Sequence, residues 1–322
     1  MSEAAVRVSF RILGRMLSAH GVDAHLATWL ARHWDRPHLE VPGHPFVIDL
    51  RCAPRPELPA ELLQLLPERT SGHDDGATPR RASGDDAHAS VLLGSHEGGA
   101  YLELDAARAR VQAWGVRGPS PEGRWPLLLA LHEAVRASGL LPLHCAAAVH
   151  PDEAGATALL GPSGVGKSTT LLALAQAGWA PVCEDFAWLD PTNGMVHAWD
   201  HGLRLRPDAL ERLGHGSAPT PSDPAAEKQL VAYHDLGERY GVRRCVSAPL
   251  RRLVRLVRGD GPTRWEALPR THAVPVLWES IGLPLTTPAR RQVAAHIAAI
   301  LDEAELLNLH LGRTPVPAAP AS

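Results

Sequence analysis

One stretch constrains this chain more than any other: Leu159 to Leu172, LLGPSGVGKSTTLL. Gly161, four residues and then Gly166-Lys167-Ser168 fill every position of the G-x-x-x-x-G-K-S/T phosphate-binding pattern. An apolar, β-leaning run from Ala156 to Leu160 leads in, and a helical pattern from Ser168 to Ala177 leads out. A strand, a glycine-rich turn and a helix N-terminus together aim backbone N–H groups and the positive end of a helix dipole at one anion. The pattern predicts a nucleotide-phosphate cradle made of Gly161, Ser163, Gly164, Val165, Gly166, Lys167, Ser168 and Thr169. Within it Lys167 supplies a point charge for the outer phosphates and the Ser168 hydroxyl a ligand for Mg²⁺. A ligand-free glycine-rich turn is the alternative, and it does not explain why every motif position is filled in the required context.

Basic residues point the same way. The only lysines are Lys167 and Lys228; every other always-charged base is arginine. A lysine that survives such a bias marks a position where a forked guanidinium does not replace a compact ammonium. Lys228 is thus a second candidate phosphate contact, chance retention at an exposed site being the other reading, alongside Arg204 and Arg206 in the alternating run Leu203-Arg204-Leu205-Arg206.

The rest of the composition excludes several classes. A net charge of −3 gives no reason to expect nucleic acid or an anionic membrane as partner. No run approaches the roughly 18 apolar residues of a membrane span, and the N-terminus lacks the apolar core and cleavage site of a signal peptide. Cys52, Cys145, Cys183 and Cys245 show no C-x-x-C spacing and read as reduced, mostly buried thiols of a cytoplasmic protein. His33, His38 and His44, with Asp35 and Glu40 nearby, match no metal-ligand spacing.

At 322 residues the chain has room for about two domains. Residues 1–120 read as a smaller α+β region. Val6 to Leu17 and Ala24 to His33 are expected as helices, Phe46 to Leu50 as a strand, and the stretches near 90–93, 101–104 and 111–114 as an antiparallel meander. Residues 67–89, rich in Gly, Ser, Pro, Asp and Arg, are expected to form a mobile loop. Residues 121–312 would form the phosphate-binding domain, and 313–322 a disordered tail. In that domain Trp125 to Ala137 is helical, Leu143 to Val149 a buried strand, and Pro181 to Leu189 an apolar strand with Glu184 and Asp185 in its middle. Pro207 opens a short helix, Arg251 to Arg258 is a strand, and Pro288 to Leu307 an amphipathic helix.

Glu184 and Asp185 lie on the strand after the loop's helix, which can bring them to the phosphates. A carboxylate there can hold Mg²⁺, and another can accept the proton of an attacking hydroxyl. Neighbours on a strand point to opposite faces, so at most one acid aims at the metal unless the backbone is irregular there. His144, at the start of the strand that folds back towards the loop strand, is a candidate to hydrogen-bond the transferring phosphoryl group or the acceptor; a satisfied core histidine is the other reading.

The run from His144 through Gly161–Ser168 to Glu184-Asp185 resembles the catalytic domain of HPr kinase/phosphorylase. That family has a histidine at a strand start, a G-x-S-G-x-G-K-S loop, a helix ending in glycine and a strand carrying two acids. The resemblance covers about residues 140 to 200. It implies an α/β fold with a mixed sheet around the loop, of the PEP-carboxykinase-like kind, beside the smaller N-terminal domain. It also implies an ATP- and Mg²⁺-dependent kinase directed at serine, with Lys167 and Ser168 on phosphate and metal, and His144, Glu184 and Asp185 in the active site. The family's acid pair is two aspartates, whereas here the first is glutamate, so either acid can be base or metal ligand. The downstream motif linked to phosphorylase activity has no match, which makes HPr a poor substrate. The helix–LHCAAAV–loop–EDFAWLD arrangement is more similar to relatives encoded with peptide-modification pathways, including lasso-peptide kinases that phosphorylate a precursor peptide. A homo-oligomer is the family's implication for assembly. A nucleotide sensor without transfer, or a kinase of a small metabolite, are the competing readings.

Overall fold

The computed structural model describes residues 6–35, 39, 41–68, 79–85, 88–118, 123–205 and 229–312. Arg206, Lys228, the expected helix from Pro207 and the C-terminal tail fall outside them, as does most of the expected mobile loop. Contacts divide the chain into two compact units, Met1–Leu140 with Pro284–Ala294, and Leu141–Leu283 with Ala295–Ser322.

The first unit is built on a seven-stranded sheet in the order β1-β2-β3-β7-β6-β5-β4. Its strands are β1 (Val6–Ile12), β2 (Arg15–Val22), β3 (Val47–Ala53), β4 (Arg81–Gly84), β5 (Ala89–Gly94), β6 (Gly99–Leu104) and β7 (Arg108–Trp114). Its helices are α1 (Ala24–Trp34), the short α2 (Ala60–Leu63) and α3 (Arg124–Ala137). Strand β3 runs parallel to both β2 and β7, so the meander expected from sequence is one part of a mixed sheet. The stretch expected as a helix from Val6 is instead a hairpin, β1 and β2. Val6, Val8, Phe10 and Ile12 alternate with polar residues, and Leu13 and Gly14 turn the chain with φ of 49° and 81°. Two positive φ values in a row give the tight turn whose twist matches flanking strands. Within the expected loop of 67–89, Arg81–Gly84 forms β4, an exposed edge strand held by pairing with β5 rather than by apolar burial.

Register sorts the side chains of this sheet into two faces. Ile48, Ala109 and Leu104 share a row, as do Leu50, Val111 and Leu102, and all six are buried. The alternate rows, Asp49-Arg110-Glu103 and Arg51-Gln112-Tyr101, are polar and border a cavity of about 440 Å³. Asp23 caps α1, accepting from the Leu26 N–H at 2.7 Å, and Leu26, Leu30 and Trp34, four residues apart, form its buried stripe. Helix α3, placed by sequence with the phosphate-binding region, packs against β5, β6 and β7 and belongs here.

One residue of α3 makes this unit acid-sensitive. The His132 ring stands edge-on to Trp34, centroids 5.3 Å apart, and burial, with Arg136 and His33 nearby, pushes its pKa down to about 3. The unfolded chain, with an ordinary histidine, binds a proton the folded one refuses. Stability is therefore lost as pH falls through about 6.5 towards 3, at up to about 1.4 kcal/mol per pH unit from this group. Thermal unfolding followed against pH should show a shallower acid loss for His132→Leu than for wild type; superimposable curves would contradict the assignment.

The second unit holds the glycine-rich loop of Gly161 to Ser168. Its strands are β8 (Leu141–Leu143), β9 (Ala146–Val149), β10 (Ala156–Leu160), β11 (Ala180–Cys183), β12 (Ala187–Asp190), β13 (Met195–Ala198), β14 (Gly202–Leu205), β15 (Gln229–Ala232), β16 (Ser247–Arg258), β17 (Arg264–Ala267) and β18 (Glu305–Leu311). Its helices are α4 (Lys167–Gln176), α5 (Tyr233–Tyr240) and α6 (Arg270–Ile281); the later helix α7 (Thr287–Glu303) precedes β18. The main sheet follows the path β11-β9-β10-β16-β13-β12-β8, with β18 on β16 and β17 on β18, while β14 and β15 pair by themselves. The protein is thus a mixed α/β structure. Strand β16 is the spine, parallel to β10 and β18 and antiparallel to β13. The expected helix to Leu307 stops at Glu303, because Glu305–Leu311 finds a strand partner in β16.

A core of Leu159, Leu171, Leu172, Val254, Leu256 and Leu309, joined by Leu203, Leu205 and Leu236, seats α4 on the sheet. Burying each such leucine contributes roughly 1.5–3 kcal/mol, so the helix that carries the loop is fixed mainly by its apolar underside.

Candidate active site

Two strands expected to be continuous are broken, and the breaks face each other. The run from Leu143 to Val149 is split at His144-Cys145, and the run from Pro181 to Leu189 is split at Glu184-Asp185-Phe186. Leu143 pairs with Ala187 on one side of the breaks, and Ala147 with Cys183 on the other. Both chains pass from one part of the sheet to another at this level. The acids therefore sit on a bend rather than mid-strand. The irregular backbone removes the alternation that would have sent them to opposite faces.

That bend has a visible cause. The N–H groups of Glu184 and Asp185 turn away from any strand partner and donate to one carboxylate oxygen, Oδ2 of Asp200, the second at 3.1 Å. The Asp200 Oδ1 accepts the Tyr233 hydroxyl at 3.0 Å. Burial pushes the Asp200 carboxyl up to about 6, while the two N–H groups, Tyr233 and the Arg244 charge pull it back. Burial, then Asp200, raises the Tyr233 phenol well above its usual range.

The loop itself has the expected form. It leaves β10 at Gly161, and α4 begins at Lys167 with Gly166 as its N-terminal boundary. Gly164 and Gly166 hold φ of 80° and 121°, where a side chain would be strained. Ser163, Gly164 and Thr169 are exposed, Gly161, Val165, Gly166 and Ser168 are half-buried, and Lys167 is 7% exposed. The Lys167 ammonium donates to the Gly161 carbonyl at 2.7 Å, curling back over the loop. Burial lowers its pKa, and the charges of Asp185, Cys145, Glu184 and Glu279 oppose that shift. An arriving phosphate would act in the same sense as those groups.

The acids meet different partners. Glu184 is 3% exposed, and its Oε1 accepts a hydrogen bond from the Ser168 hydroxyl. Asp185 is open to solvent and pairs through Oδ1 with Nδ1 of His144 at 3.4 Å. The His144 backbone is pinned in turn, its N–H donating to the Ser280 carbonyl at the end of α6 at 2.8 Å. Beneath the breaks, the buried Cys145 and Cys183 sulfurs lie 3.7 Å apart as free thiols. The Cys145 hydrogen bond, then burial, raises Cys183 well above the usual thiol range, which keeps it un-ionised and unreactive.

Lys167, Ser168, Glu184, Asp185 and His144 are thus brought together. Arg204 is not: it is exposed on β14, between Leu203 and Leu205, which point into the core. A different arginine grips the loop. Arg258, the last residue of β16, donates to the Gly164 carbonyl at 2.7 Å and the Val165 carbonyl at 3.2 Å. Nothing in its own stretch of sequence marks it; β16 runs parallel to β10, and that pairing puts its C-terminal end at the loop's end of the sheet, where open α/β sheets bind ligands. Asp200, Tyr233 and Arg244 were also missed, since only the folded chain brings them to the acids.

The oxygen set at Ser168 and Glu184 suits Mg²⁺, which prefers a carboxylate and hydroxyl together with substrate phosphates. Among the described residues no helix is long and apolar enough to cross a membrane. No protein-family model matches the chain, and no curated protein matches it. Among solved structures it is similar to the Hpr(Ser) kinase/phosphatase from Coxiella burnetii, at 12% identity over 53% of this chain and 85% of that one, with a TM-score of 0.24.

Proposed function

We propose that the chain is an ATP-dependent kinase of HPr-kinase-like fold that transfers the γ-phosphoryl group to a hydroxyl, with serine of a peptide or protein as acceptor. The observation that carries this reading is the convergence of a complete phosphate loop with two acids in different settings. Glu184, buried against Ser168, is suited to hold Mg²⁺ with that hydroxyl. Asp185, solvent-facing and beside His144, is suited to accept a proton from an incoming hydroxyl. In the transfer the acceptor oxygen bonds to the γ-phosphorus, the bond to the β-phosphate bridging oxygen breaks, and the acceptor's proton goes to Asp185. Lys167 stabilises the charge on the phosphate oxygens, and His144 orients Asp185. Bound Mg²⁺ would supply further charge neutralisation there. A ribosomally made precursor peptide is the acceptor class we favour, on the sequence resemblance to peptide-modification kinases.

Incubation with ATP, Mg²⁺ and serine-containing precursor peptides, followed by intact-mass measurement, tests the reading. A gain of one phosphate on the peptide is the expected result. ATP binding with no mass gain on any peptide or small hydroxyl acceptor would replace the kinase with a nucleotide-sensing module.

A further inference from the structure

Asp200 lies just beyond β13, outside the phosphate motif and outside the acid pair, yet its carboxylate accepts from both acids' backbones. Consecutive residues of an extended strand direct their N–H groups to opposite sides. At Glu184 and Asp185 both N–H groups instead converge on one oxygen, a turn that cradles an anion. The cradle places the Glu184 side chain against Ser168 and the Asp185 side chain against His144.

The anion is itself fixed. Tyr233 holds the other carboxylate oxygen, and Tyr233 is 5% exposed within the core that seats α4. The Arg244 guanidinium lies 4.1 Å above the Tyr233 ring and donates to the Asp200 carbonyl at 3.0 Å. Side chain and backbone of Asp200 are thereby both tied to the stacked Tyr233 and Arg244. The phosphate loop rests on the same core through Leu171 and Leu172 of α4.

Resting on the kinase reading of this site, we infer that Asp200 is a positioning residue: through the backbone of Glu184 and Asp185 it holds both acids in register with the phosphate loop, and Tyr233 and Arg244 hold it in turn. It acts through hydrogen-bond acceptance, so its requirement is an oxygen in the right place.

Amide hydrogen exchange on the nucleotide-free chain tests this independently of turnover. The Glu184 and Asp185 amides should exchange at least about tenfold faster in Asp200→Ala than in wild type. They should stay close to wild type in Asp200→Asn, whose side-chain carbonyl can take both donors. Tyr233→Phe, which removes one hydroxyl and keeps the ring in the core, should speed exchange at the same two amides by a smaller factor. In transfer assays, kcat should fall roughly 100-fold in Asp200→Ala and less than about tenfold in Asp200→Asn, with nucleotide Kd within about threefold of wild type in both. A merely structural role would lower nucleotide affinity and kcat together. Equal exchange at both amides in wild type and Asp200→Ala would overturn the inference, as would a kcat indifferent to that substitution. Wild-type protein that transfers phosphate to nothing would sink the kinase reading alone, because the exchange comparison still decides whether Asp200 sets the bend.

Discussion

Lys167→Ala is expected to reduce phosphoryl transfer by at least roughly 10²–10³-fold, the range found when one preorganised donor is taken from a transition state. The effect has two parts here. The ammonium is the loop's buried positive charge, and it also spans the loop by bonding to the Gly161 carbonyl. Alanine therefore removes the phosphate's counter-charge and a brace that keeps the loop curled. Nucleotide affinity, measured with a fluorescent ADP analogue, should weaken at least about tenfold, together with the loss of transfer. Lys167→Arg should rescue poorly, because a planar fork does not fit where a compact ammonium turns back on the chain. Thermal unfolding should change little, since the apolar underside of α4 is untouched. A variant that keeps transfer within threefold of wild type would falsify the assignment of Lys167 to the phosphates.

Asp185→Asn is expected to lower kcat by roughly 10²–10⁴-fold, the span of general-base contributions, with little change in the KM for ATP. The amide keeps the size of the side chain and can still meet His144, but it cannot take a proton. Glu184→Gln should behave differently. It weakens the oxygen set shared with Ser168, so the Mg²⁺ concentration for half-maximal activity should rise, and excess Mg²⁺ should restore part of the rate. If the Mg²⁺ requirement moves with Asp185→Asn instead, the roles of the two acids are reversed.

The shape of the glycine-rich loop was legible in sequence because its information is local: glycines where φ must be positive, and an apolar strand before a helix. Helix α1 was legible for the same reason, through one-sided apolar spacing, and α3 through its run of helix formers closed by Gly139. Strand β18 was not, because what makes Glu305–Leu311 extended is a parallel partner, β16, that is distant in the chain. The opening hairpin was misread since the apolar residues between Val6 and Leu17 also fit near-helical spacing, and the deciding signal was the turn at Leu13-Gly14. At the site, His144, Glu184 and Asp185 were legible by residue type and order. The two strand breaks that bring them together were not, because each break is set by where pairing partners change on either side. Arg258 and Asp200 act through backbone groups of other segments, and no pattern in their own neighbourhoods announces that.

The parallel ladder under the phosphate loop carries a consequence for how the chain is made. Ala156 pairs with Leu250, and β16 is then flanked by β18 near the C-terminus, so the loop's seat is assembled from segments synthesised far apart. Closing so long a connection costs chain entropy before any contact rewards it. While the ribosome is still short of β16, strand β10 has only its antiparallel neighbour β9. The nascent protein thus carries the complete glycine-rich motif well before it has the sheet that shapes it, and the loop takes its final form only once β16 has been made.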